Sequence, residues 1–305
     1  MQANCDNWQR VIRMDRGEYT TCTVILKGAT ITSWRIKDEE QIFMSRISKL
    51  DNYHKYRGGI CLIFPRFEHW EVGRFHGFAR DLMWGVKRGP YNDKEGNVHL
   101  DMILTSDCFT RSCWNCDFEI HYSLILKTSE LETKIEVVNL SPSTSFQFHL
   151  EQHWHMKVKD VSAVVFKGLK GLTYVDREHV NPDVPFLLCT TNDFMLGDDR
   201  TDLTFYNTSP ELNIVSEPEN KIFRIRKQNM PDLNLWIPGT TECKDSGLED
   251  DEIKHMIVAD FGNVRYKKIL SPKTTFVATE TIEVLQIYTP PPKYSDFLEY
   301  FSHIC

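Results

Sequence analysis

Residues 146–158 alternate in chemistry almost without fault. The even positions are Phe146, Phe148, Leu150, Gln152, Trp154, Met156 and Val158, and the odd ones are Gln147, His149, Glu151, His153, His155 and Lys157. Successive side chains of a strand point to opposite faces, so the pattern predicts one strand with a mostly apolar face and an entirely polar one. A half-exposed strand with its polar face in water would alternate in the same way. Three histidines on one face are unusual for such a surface, because imidazole titrates near neutral pH and binds metals. Two chemistries stay open. His149, Glu151, His153 and His155 could hold a divalent iron, zinc or manganese ion, which imidazole and carboxylate both suit. Alternatively, one histidine acts as a general acid paired with a carboxylate from elsewhere in the chain.

A second cluster precedes it. The span from Lys55 to Arg80 contains Arg57-Gly-Gly-Ile-Cys-Leu-Ile-Phe-Pro-Arg-Phe67 and Phe75-His-Gly-Phe-Ala-Arg80. It holds five basic residues (Lys55, Arg57, Arg66, Arg74, Arg80) against two acids (Glu68, Glu71), a local charge of +3 in a chain of net charge -7. Cations concentrated in an acidic protein point to a small anionic ligand and away from nucleic acid.

The elements that must position these groups read as strands. Short β-rich runs recur at Thr21 to Leu26, Ala29 to Ile36, Val98 to Thr105, Phe118 to Lys127, Thr133 to Val138, Ser162 to Phe166, Ile222 to Arg226 and Thr274 to Ile287. Turn signals such as Lys27-Gly28, Gly96-Asn97 and Ser141-Pro142 separate them. Many short strands at this density predict an antiparallel sandwich or barrel, and the absence of a repeat or a low-complexity linker predicts a single domain over residues 1–305. The polar stretch from Thr240 to Glu252 reads as an exposed loop, and Glu280 and Glu283 as solvated or edge residues. His54, His69 and His255 read as surface residues. No run reaches membrane-span length, and the polar start lacks a signal core. Nine cysteines without framework spacing fit reduced thiols in a cytoplasmic protein, and the lone Cys113-Trp-Asn-Cys116 reads as packing. Tyr288-Thr-Pro-Pro-Pro-Lys293 reads as a stiff spacer.

Taken in order, several motifs resemble the hexose-6-phosphate 1-epimerase branch of the aldose 1-epimerase, or galactose mutarotase-like, family. They are Gly28-Ala-Thr-Ile-Thr-Ser-Trp34, Arg57-Gly-Gly-Ile to Phe64-Pro65, His76-Gly-Phe-Ala-Arg80, His153 followed by Asp160-Val-Ser, and Gly168 to Tyr174. Thr201-Asp202, Asn234-Leu-Trp236 and Met256 to Val264 complete the set. The resemblance implies an all-β fold: a large, twisted antiparallel sandwich with few short helices and a sugar cleft on one sheet. It implies interconversion of α and β anomers by ring opening and closure, with no cofactor and no metal. Carried over by position, His153 is the general acid. Asp260 stands where the family has a glutamate base, His76 supports the sugar, and Asp202 accepts from its hydroxyls. Arg57 and Arg80 match groups near the phosphate, which guanidinium can bind through two oxygens. The expected partner is a hexose phosphate or related sugar bound by a monomer, with no nucleic acid and no membrane.

The departures gather at the same place. Asp260 is shorter than glutamate by one methylene, about 1.5 Å. A base must come within about 2.6–3.2 Å of its proton, so Asp260 on a fixed backbone falls short. Phe75 stands before His76 where the family is polar, Glu68 follows Phe67 in place of glycine, and Trp154-His-Met replaces Thr-Tyr-Phe.

Overall fold

The computed structural model describes residues 11–48, 56–197, 200–238, 248–249 and 251–287. Among them, two antiparallel sheets of 11 and nine strands face each other, and a two-stranded ribbon joins Phe146–Phe148 to Lys268–Leu270. The centre of the larger sheet runs, side by side, through Ile60–Ile63, Glu151–Lys157, Met256–Gly262, Asp232–Ile237 and Thr201–Phe205. In the smaller sheet Lys221–Gln228, Thr275–Gln286, Glu130–Asn139 and Phe118–Leu126 are neighbours. Each of the eight runs expected from the sequence falls on a strand, with the start of Ser162 to Phe166 taken by a 3-10 turn.

Alternation explains the layering. Along Phe118–Leu126 every second residue is buried, giving Phe118, Ile120, Tyr122, Leu124 and Leu126 to the core. Leu131, Thr133, Ile135 and Val137 do the same from Glu130–Asn139. These meet Ile60, Leu62, Trp154, Met156, Leu233, Leu235, Ala259 and Phe261 of the larger sheet in one continuous apolar cluster. Burial on this scale, at about 25 cal/mol per Å² of apolar surface, is what fixes the two sheets together.

The single α-helix among the described residues, Cys108–Cys113, is one and a half turns long. Asp107 caps it by accepting from the Thr110 amide, and the Thr110 hydroxyl accepts from the Asp107 amide. The thiols of Cys113 and Cys116 are free, and Trp114 and Cys116 pack against the core, in line with the packing role expected of that motif.

Three expectations need correction. The 146–158 run is two strands, not one: Phe146–Phe148 pairs with the ribbon, and Glu151–Lys157 enters the larger sheet. The chain changes sheets at His149 and Leu150, where the Pro65 carbonyl accepts from the His149 amide and the Leu150 carbonyl accepts from the Asn263 amide. Alternation survives the crossover, so the sequence pattern conceals it. Glu280 is only 1% exposed and lies on Thr275–Gln286, an interior strand of the smaller sheet, so it is neither solvated nor at an edge. The far end of the 240–252 stretch is also buried: Glu252 accepts from the Ser45 hydroxyl and the Arg46 amide. Most of that stretch, His54 and the proline-containing tail lie outside the described residues. No helix among the described residues is long and apolar enough to cross a membrane.

Candidate active site

The outer face of the larger sheet carries a polar row that crosses five strands. Cys61 sits opposite His153, Asn234 opposite Asp260, and Thr204 opposite Asn234. A constant register between Glu151–Lys157 and Met256–Gly262 sets His153 beside Asp260. The two are hydrogen bonded, His153 Nδ1 to Asp260 Oδ2 at 2.7 Å. The other carboxylate oxygen, Oδ1, accepts from the Trp154 amide at 3.0 Å. Asp260 is 2% exposed, while the His153 side chain keeps 16%. With Nδ1 committed to the carboxylate, the nitrogen left for chemistry is Nε2.

A cleft of about 190 Å³ opens over this row, lined by Lys27, Arg57, Cys61, Arg80, His153, His155 and Trp236 among others. Drug-sized sites run to roughly 300–1,000 Å³, so the volume suits one small polar molecule. Lys27, Arg57 and Arg80 bring three cations against one acid, Asp81, which is already paired with Arg74 at 3.1 Å. Arg57 is fixed at the main chain, where its amide donates to the Ser48 hydroxyl and its carbonyl accepts from the Ser45 amide. Arg80 is held by a close approach. The Gly28 backbone has φ +70°, and a Cβ there would lie 2.3 Å from the Arg80 carbonyl, so only glycine fits. The Arg80 side chain also donates to the Phe75 carbonyl at 3.1 Å.

His155 shares the outer face with His153, their rings 4.6 Å apart and nearly perpendicular. Its Nδ1 lies 3.2 Å from the Gly59 carbonyl. Burial holds this imidazole well below its ordinary pKa; the neighbouring His153 and Arg80 push the same way, and the Gly59 carbonyl opposes them. Cys61 also lines the cleft, but burial pushes its thiol up to about 12, which leaves it an inert thiol.

The remaining residues expected from the sequence cluster beside this cleft. The His76 ring lies 6.3 Å from that of His153, and His76 Nδ1 accepts from the Glu68 amide at 3.0 Å. Glu68 has φ +60°, the left-handed backbone at which glycine is expected. Phe75 packs against His76 with ring centroids 4.0 Å apart and planes tilted by 57°. Asp202 stands opposite Trp236. Burial raises its carboxyl to about 6; Arg177 opposes that rise, and Glu178 and Asp260 add to it.

Sequence reading missed Arg177. It pairs with Glu68, lies 3.9 Å from Asp202 through Nε, and sits over the Phe67 ring. Its only local signal is the charged triplet Asp176-Arg-Glu178, which resembles any surface turn. Glu151 also belongs to the polar face but is wholly buried. Both of its oxygens lack a hydrogen-bond partner, and burial, then the charges of Asp260, Asp232 and Asp202, push its carboxyl well above the ordinary carboxylate range.

The metal alternative required His149 to join Glu151, His153 and His155. His149 instead turns inward, where Nδ1 accepts from the Phe67 amide, and burial lowers it to about 4. Among the described residues no three His, Cys, Asp or Glu side chains converge as metal ligands would.

Two curated relatives match most of this chain. A protein of Cenchrus ciliaris, named "Putative glucose-6-phosphate 1-epimerase", is 25% identical over 263 residues, which cover 84% of this chain and 75% of the relative. An Escherichia coli protein of the same name is 28% identical over 241 residues, 77% of each. Among solved structures, the Salmonella typhimurium protein described as a "putative mutarotase (YeaD)" superposes with a TM-score of 0.78 at 22% identity, covering 88% of both chains. A galactose mutarotase-like protein from Lactobacillus casei gives 0.69 at 14% identity, covering 90% of this chain and all of its own. The fold is therefore galactose mutarotase-like. The family model for aldose 1-epimerase matches residues 10–283, and the chain belongs to that family.

Proposed function

We propose that this protein interconverts the α and β anomers of a hexose 6-phosphate. The observation that carries the reading is one cleft in which a hydrogen-bonded His153–Asp260 pair meets Arg57 and Arg80. His153 donates a proton from Nε2 to the ring oxygen as the C1–O5 bond breaks, while a base takes the proton of the anomeric hydroxyl and the electron pair left on O1 forms the C1=O1 bond. Rotation about C1–C2 in the open aldehyde, followed by closure on the other face, gives the other anomer. Asp260 occupies the position that the resemblance gives to the base, but it acts through His153: both its oxygens are engaged and its side chain is closed to solvent. It fixes the ring and compensates its charge, as a buried carboxylate does behind a catalytic imidazole. Arg57 and Arg80 hold the phosphate, and His76 and Asp202 take sugar hydroxyls.

The test is anomer exchange of glucose 6-phosphate followed by saturation-transfer NMR. Acceleration at micromolar protein is expected, and its absence removes the reading. The commitment of Asp260 also favours a second reading, a sugar-phosphate-binding relative without turnover. That reading predicts a raised melting temperature with glucose 6-phosphate and no exchange.

A further inference from the structure

We propose that His155 is the catalytic base of the anomer exchange, facing His153 as its acid; the inference rests on the reading given above. The reaction needs a group to remove the proton of the anomeric hydroxyl, and Asp260 stands behind His153, buried, outside the lining of the cleft and with a hydrogen bond already on each carboxylate oxygen. His155 has a nitrogen to spare. A carbonyl oxygen only accepts, so the contact with Gly59 places the proton on Nδ1 and leaves the Nε2 lone pair unprotonated. Nε2 is the atom that remains for the cleft His155 lines.

The acceptor is built into the backbone. Gly59 has φ +83°, and a Cβ there would come within 2.7 Å of the Ile31 carbonyl. The Gly59 carbonyl also accepts from the His155 amide, so ring and main chain are pinned to the same oxygen. The Trp154 amide meanwhile binds Asp260, so both histidines are oriented by fixed acceptors, one on Met256–Gly262 and one just before Ile60–Ile63.

The geometry suits the reaction. The ring oxygen and the anomeric hydroxyl oxygen are both bonded to C1, and the two imidazoles stand 4.6 Å apart on one face. The cycle begins with a proton on His153 to give and an open lone pair on His155 Nε2. His155 Nε2 takes the O1 proton, the O1 electron pair forms the C1=O1 double bond, and the C1–O5 pair leaves on O5. O5 takes the proton from His153. After rotation about C1–C2 the transfers reverse, with His153 removing the O5 proton as O5 attacks C1 and His155 returning its proton to O1. Both rings end as they began. Groups facing His155 are His153 on its own strand, Cys61 on the adjacent one, Lys27, Tyr56, Arg57, Arg80 and Asp81 around the cleft, and Asp260 behind His153. Burial first, then His153 and Arg80, disfavour a second proton on this ring and so keep its lone pair open.

His155→Gln tests the assignment with glucose 6-phosphate and saturation-transfer NMR. Loss of kcat by about a hundredfold or more, with KM within a few fold, is expected for removal of a general base. If the unaltered protein exchanges anomers and His155→Gln keeps its kcat, His155 is not the base and the mutarotase reading stands. If the unaltered protein gives no exchange, both readings fall. Should the variant not fold, the unaltered protein decides through long-range proton–nitrogen NMR of ring 155. A neutral Nδ1–H tautomer at pH 7, becoming imidazolium along the acid limb of kcat, supports the assignment. An Nε2–H tautomer or a ring already charged at pH 7 overturns it.

Discussion

The strand Glu151–Lys157 has two polar sides that behave differently. Its inner face sends Gln152 and Trp154 into the space between the sheets. Gln152 donates to the Tyr122 hydroxyl and accepts from Thr133, and the Trp154 indole donates to Glu280 Oε2. Gln152 and the Trp154 indole are both satisfied, and both are shut away from water. Its outer face carries His153 and His155, and each imidazole has one nitrogen bound to a fixed oxygen and one left over. Saturated polar groups specify how the sheets stack, because a buried donor without an acceptor is costly. Half-saturated imidazoles have an orientation and a reactive atom. A single residue of spacing separates structure from chemistry.

The hardest way to break this contrast is to remove the outer acid. His153→Asn should lower anomer exchange by roughly 10²–10⁴-fold, the usual contribution of a general acid. The melting temperature should stay near that of the parent, because the side chain faces the cleft. A large fall in stability alongside lost activity would show that the outer face also holds the sheet together.

Asp260→Glu comes next. If Asp260 serves by aligning His153, the added methylene displaces the ring by about 1 Å, which can cost up to roughly a hundredfold in kcat. A rise in kcat would instead return the base role to position 260 and leave His155 a spectator. Arg57→Ala probes the edge of the same face. Charged hydrogen bonds contribute about 1.5–3 kcal/mol, so KM for glucose 6-phosphate should rise roughly ten- to a hundredfold, with free glucose little affected. Equal losses for both sugars would remove the phosphate role.

Much of the outer face was legible in the sequence, and the inner face was not. Alternation exposes a polar row because a strand repeats every two residues, so His153 and His155 could be placed on one side before any coordinates. The glycines at 28, 58 and 59 and the arginines at 57 and 80 stood out by local composition. What escaped depends on contacts distant in sequence. The crossover at His149 leaves the period intact. Arg177 and Glu68 meet only when the sheet folds. Glu280 looks like any acid in an alternating strand, and its burial follows from Thr275–Gln286 pairing on both sides with Lys221–Gln228 and Glu130–Asn139. His155 was visible as a residue on the face, but its committed Nδ1 was not, because the acceptor is a backbone carbonyl.

The smallest expected effect lies on the inner face and is read by pH. Burial lifts the Glu280 carboxyl from its ordinary 4.5 to about 8; the Asp260 charge adds to the rise, against the Trp154 hydrogen bond and Lys227. A carboxyl with a raised folded pKa keeps its proton in the fold across that window while the unfolded chain has lost it. The folded state then binds more protons, and stability declines as pH climbs from 4.5 to about 8. Lys227 tilts the next interval the other way. Burial lowers it from 10.5 to about 8, so the folded chain holds fewer protons between those values and stability recovers with pH. Glu280→Gln keeps an oxygen for the Trp154 indole and deletes the titration. Denaturant melts at pH 5, 6.5, 8 and 9.5 should show a flatter decline up to pH 8 for the variant than for the parent, with the rise above pH 8 retained. Parallel slopes would mean that Glu280 is ionised in the fold, and the inner face would then hold a buried charge pair with Lys227 in place of a neutral carboxyl.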